Sequence, residues 1–147
     1  MSISYSLLFE KNDSTLDVIK QLEKIVNSPF QFADYWEYFD LYYAEVIGLR
    51  LSLHNRNNPF KERYKRNNPN HVDEFAKYNY KVDIEHIGEL IDVSNGKQWV
   101  RYAIVEIARM INRNMKCDCI VFRDDVITYS FITQKDGSVK IESNGWI

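Results

Sequence analysis

Ile3, Tyr5, Leu7 and Phe9 alternate with Ser2, Ser4 and Ser6, the two-residue period of a half-buried strand. The period then changes. Leu16, Val18, Ile19, Leu22, Ile25 and Val26 recur at helical spacing, with Ser14 placed to cap the helix and Asp17 at its third position. Asn27-Ser28-Pro29 ends it, because the residue before a proline is pushed out of the helical region. Residues 30–45 read as extended. Ile47, Leu49, Leu51 and Leu53 then fall on one side of an alternating segment, with Gly48, Arg50 and Ser52 on the other. Tyr78, Tyr80, Val82 and Ile84 repeat the pattern against Asn79, Lys81, Asp83 and Glu85.

A turn through residues 92–96 leads to a long helix at about 97–115. Its stripe of Val100, Ala103, Ile104, Ile107, Ala108 and Ile111 is broad, with Arg101, Arg109 and Arg113 on the other side. Residues 117–122 and 126–132 are expected to pair across 123–125, and a turn at 135–137 leads to a last strand at 139–141. The order β-α-β-β-β-α-β-β-β lacks strict alternation. It predicts an α+β fold, a mainly antiparallel sheet with two main helices packed on one face. Residues 1–147 read as a single globular domain with a basic insert at 54–71.

That insert holds the tetrapeptide Arg-Asn-Asn-Pro twice, at 56–59 and 66–69. Asn58 can cap a helix and Pro59 suits its first position, so the first copy is expected to open a short helix and the second to close it. So short a helix is marginal alone, and Phe60 and Tyr64 are expected to dock on the body. Charge sharpens the picture. Between His54 and His71 five basic residues face Glu62 alone, net +4, leaving −6 on the rest of a chain whose total is −2. As a contact surface, Arg56, Lys61, Arg63, Lys65 and Arg66 would hold phosphates while Tyr64 stacks on a base. The acidic remainder opposes a polyanion, and the solvated or protein-contacting readings of the insert stand ahead of that one.

The aromatic content, 14% of the chain, is concentrated in FQFADYWEYFDLYYAE, residues 30–45, where eight rings accompany Asp34, Glu37, Asp40 and Glu45 without a basic residue. Successive side chains of an extended segment face opposite ways, so these rings cannot all be buried. Tyr35, Trp36, Tyr38 and Tyr42 are the candidates for exposure. Rigid rings beside carboxylates suit a basic protein partner, which makes Asp34, Tyr35, Trp36, Glu37, Tyr38 and Asp40 the candidate contact set.

Chemistry-bearing patterns are sparse. Cys117 and Cys119 lack further ligands at metal spacing and read as buried structural thiols. Asp83, Glu85 and His86 are the candidates for acid–base work or a divalent cation, against a solvated sheet face as the simpler reading. With five glycines in the chain and no phosphate loop or nucleophile elbow, no catalytic residue, metal or cofactor is expected. No run of residues reaches membrane-spanning length, and residues 1–14 lack a basic leader, so a cytoplasmic protein is expected.

The segments YYAEVIGLRLSLHN and YNYKVDIEHI flanking the insert, the aromatic-acidic surface and the size together resemble the small α+β immunity proteins of bacterial polymorphic and contact-dependent growth inhibition toxin systems. The resemblance is architectural and covers most of the chain. It implies a protein that binds and neutralises a cognate toxin by stoichiometric occlusion, a nuclease with a basic groove fitting the acidic surface. The alternatives are a nucleic-acid accessory protein acting through residues 56–66, and a small enzyme acting through Asp83, Glu85 and His86.

Overall fold

In a computed structural model the chain is described at residues 5–36, 39–87, 93–124 and 126–144, with the backbone alone at 34–36, 39 and 93–98. It runs β1 (Tyr5–Phe9), α1 (Thr15–Val26), β2 (Gln31–Trp36), β3 (Phe39–Val46), β4 (Leu49–Asn55), α2 (Pro59–Asn67), β5 (Tyr80–His86), α3 (Val93–Met115), β6 (Cys119–Arg123), β7 (Val126–Thr133) and β8 (Val139–Ser143). All eight strands join one antiparallel sheet in the order β2-β3-β4-β5-β1-β6-β7-β8. The α+β class is therefore as expected, with α1 and α3 on one face.

β1 is the fifth strand across the sheet. Tyr5 pairs with Ile84 on one side and Arg123 on the other. Because β1 is central, Tyr5, Leu7 and Phe9 lie under the helices against Val18, Leu22, Ile104, Ala108 and Ile111. Cross-strand register puts Leu51, Leu53, Val82, Ile84, Cys119 and Val121 on that same face. Each fully buried aliphatic or aromatic side chain there is worth about 1.5–3 kcal/mol of transfer free energy.

Alternation in the sequence suggests that β1 is half-buried, but all five of its residues are buried. Leu8, on the opposite face, packs with Tyr78, Ile120 and Phe122 in a second cluster, flanked by Phe75 and Ile127. Tyr78 is thus not the first residue of β5. It belongs to an irregular flap, residues 73–78, that folds over the otherwise open face.

Three further expectations are corrected. Residues 30–45 form two strands and not one extended element, so the chain order gains a strand there. Ile47 is not in a strand: with Gly48 it makes a two-residue turn at φ 48 and φ 76, and it is 83% exposed. A hairpin turn of this type I′ kind has positive φ at both positions, and isoleucine is a poor residue for it. The long helix begins at Val93, so residues 93–96 are helical where a turn is expected.

Both shorter helices start as their sequences predict. Ser14 accepts from Asp17 N at 3.2 Å, and Asn27 closes α1 in the left-handed region. Asn58 accepts from Lys61 N at 3.0 Å with Pro59 next, and the amide of Asn68 closes α2 on Tyr64 O. The two tetrapeptide copies do open and close this helix. Its rings, however, are not buried: α2 buries none of its residues, and Phe60 and Tyr64 are 51% and 46% exposed. Contacts to residues 71–73 help hold it, with Tyr64 edge-on to His71 at 5.2 Å and Lys61 Nζ 3.6 Å from Asp73.

Candidate functional site

The aromatic-acidic segment forms the outermost hairpin. Asp34, Tyr35 and Trp36 end β2, pairing with Leu41, Asp40 and Phe39 of β3, and a register shift lies between Phe32 and Asp34. Glu37 and Tyr38 fall outside the described residues. Among the described residues β2 has β3 as its one neighbour, so its outer backbone groups face away from the sheet. Asp40 is exposed. Among the ring positions, Tyr42 is not the exposed one: it faces the helix side and packs on the core edge, meeting Phe32 edge-on at 5.5 Å. Phe32, across from it on the edge strand, is 56% exposed.

The basic segment divides into two roles. Arg56, grouped by sequence with the contact cations, is mostly buried. Its guanidinium donates to Phe75 O at 2.7 Å, to Tyr78 O at 2.6 Å and to Asp73 Oδ2 at 3.0 Å. Its own amide donates to Asn79 O. Arg56 therefore clamps the flap. Asp73 is held below the usual carboxylate range: burial acts against ionisation, and the Phe75 amide with Arg56 and Lys61 outweighs it. Arg63, Lys65 and Arg66 stand on exposed positions of α2.

The open face continues this polar surface across β3, β4 and β5. Arg50 donates to Glu45 at 2.9 Å, lies 3.6 Å from Glu85 and sits 5.7 Å over the Tyr43 ring. Asp83 accepts from Ser6 Oγ at 2.7 Å and is 3.4 Å from Lys81. Asp83 and Glu85 share this face, whereas His86 pairs with Leu49 and belongs to the helix side. The three residues do not converge, because alternation along a strand sends the third to the other face.

His54 lies in the same row. Burial lowers its pKa to about 4, with Lys81 and Arg56 adding to the effect and Asp83 opposing it. The unfolded chain titrates at the ordinary 6.5, so below that value it gains a proton that the folded chain refuses. Stability should therefore fall as pH drops from about 6.5 towards 4. In urea titrations at about pH 7 and about pH 4.5, His54→Gln should lose less stability than the parent. An equal loss in both would exclude His54 as the source.

Cys117 and Cys119 are buried, and burial pushes the Cys117 thiol up to about 12 and Cys119 well above its ordinary value. Both stay protonated thiols. No group of three or more His, Cys, Asp or Glu side chains among the described residues is placed to hold a metal ion, and no described helix is long and apolar enough to cross a membrane.

Two features escape sequence reasoning. One is the Arg56 clamp, whose acceptors are backbone carbonyls that no residue pattern encodes. The other is a groove beside β8, created by the sheet extending past the helices. Comparison with protein-family models, with curated proteins and with solved structures finds no match.

Proposed function

We propose that the chain is an immunity-type binding protein that neutralises a cognate bacterial toxin by occluding it, with the β2–β3 hairpin as the contact surface. The observation behind this reading is the place of the aromatic-acidic segment on the outermost strands at one edge of the sheet. A free edge strand offers backbone hydrogen bonds, Phe32 offers exposed apolar area, and Asp34, Glu37 and Asp40 add charge that steers a basic partner. A nuclease groove built for phosphates has the complementary charge. Lys65 and Arg66 on α2 supply a second contact in the same reading.

Co-expression with the product of the adjacent upstream gene tests it. The chain should co-purify with that product in equal stoichiometry and protect cells from it. Failure of both removes the proposal. Reversing Asp34, Glu37 and Asp40 to lysine should slow association about tenfold or more at low salt and flatten the salt dependence, with dissociation changed less. Stopped-flow or surface-binding kinetics would check this, and an unchanged association rate would remove the hairpin from the interface.

A further inference from the structure

At the edge of the sheet opposite the hairpin, a groove of about 430 Å³ opens between the C-terminal half of α3 and the β7–β8 hairpin. Phe131, 1% exposed, forms its floor, and Val139 and Ile141 form an apolar wall that is 42% and 51% exposed. Arg109, Arg113 and Lys116 line the facing rim. Arg109 and Arg113 are four residues apart, hence on one stripe of the helix. Lys116 leaves the helix at φ 54. Arg109 lies 3.7 Å from Glu106, while no ion pair engages Arg113 or Lys116 among the described residues.

The walls are fixed before any ligand arrives. Buried Asn112 donates from Nδ2 to Cys117 O at 2.9 Å and to Thr133 Oγ1 at 3.2 Å, tying α3 to β7. The Thr133 amide donates to Asp118 at 2.9 Å. A preformed apolar slot with cations along one rim matches an amphipathic anion, and its volume falls in the range of about 300–1,000 Å³ usual for small-ligand sites. The C-terminal end of a helix disfavours an anion, and the three cations are what offset it.

We propose that this groove binds a small amphipathic carboxylate, its hydrocarbon body on Phe131, Val139 and Ile141 and its carboxylate between Arg113 and Lys116. The size of the apolar wall decides against a docked helix. Val139 and Ile141 are two residues apart on a strand, about 7 Å. A helix in a groove is anchored over at least two turns, about 11 Å. Arginine favours a carboxylate over a softer anion, because its planar fork can donate two parallel hydrogen bonds to both oxygens. The groove lies on the last strands of the sheet and does not depend on the hairpin reading.

The test is a titration of the full chain with decanoate below its micelle concentration, followed by amide NMR. Decan-1-ol and decyltrimethylammonium serve as comparators. Decanoate should shift the amides of Phe131, Thr133, Gly137, Val139 and Ile141 saturably, and the ammonium should bind at least about tenfold more weakly. Arg113→Glu with Lys116→Glu should weaken decanoate by about tenfold or more, and Ile141→Ser should weaken decanoate and decanol alike. Both changes are at exposed or half-exposed positions, and an unaltered thermal midpoint would confirm folding. Arg113→Ala provides a milder variant should the double reversal unfold. Equal binding of decanoate and the ammonium, no saturable shift, or an unchanged affinity in the charge variants would overturn the proposal. So would a groove that ignores decanoate yet takes a peptide of alternating aspartate and leucine.

Discussion

Phe9→Ala is expected to lower the unfolding free energy by about 3–5 kcal/mol, the usual cost of emptying a buried aromatic site. Phe9 has no exposed surface, and its ring stacks on Tyr80 at 5.5 Å with the planes 16° apart. It ends the central strand, beneath the packed helices, where neighbours on both sides keep the cavity from collapsing. Domains of this size are stable by only about 5–15 kcal/mol, so the urea midpoint should fall by a large fraction or the protein should not fold. Phe32→Ala, the same truncation at a residue 56% exposed, should cost less than about 1 kcal/mol. Equal effects at the two positions would contradict the core described here.

Arg56→Ala is expected to cost about 1–3 kcal/mol, since truncating one member of a partly buried charged network strands its partners. The change leaves Phe75 O, Tyr78 O and Asp73 without the guanidinium that they share. The flap should loosen first, uncovering Leu8, Ile120 and Phe122. Hydrogen exchange should therefore quicken at residues 73–79 and in β1 and β6 before it does so at β2 and β3. Lys65→Ala, on an exposed position of α2, should leave exchange and stability nearly unchanged. If Arg56 instead served only as a surface contact, the two variants would behave alike.

That contrast also shows what the residue pattern could convey. Local rules were sufficient for the starts of α1 and α2, because a cap is a side chain acting on an amide three positions away. Ser14 and Asn58 were legible for that reason. Strand faces were legible wherever a strand had one wet side, as in β4 and β5. They failed for β1, whose second face is covered by a flap about seventy residues further along the chain. They failed again at Ile47, where two neighbouring strands impose a turn that its own side chain disfavours. The acidic-aromatic segment could be singled out by composition, but its place on the outermost hairpin depends on the order of the strands. Arg56 and Arg66 occupy identical tetrapeptides, and only the tertiary structure makes the first a clamp.

The position of β1 also bears on the order in which the molecule is assembled. Residues 5–9 leave the ribosome well before their two neighbours, residues 80–84 and 119–123. Local hairpins join β2 to β3 and β3 to β4, and these can form while synthesis continues. β1 has no lasting place until β5 exists, and its second edge stays unpaired until α3 has crossed over it to deliver β6. Closing loops of such length slows folding. Until β5 is made the chain thus carries an apolar strand without its sheet neighbours, a ready client for a chaperone at the tunnel exit.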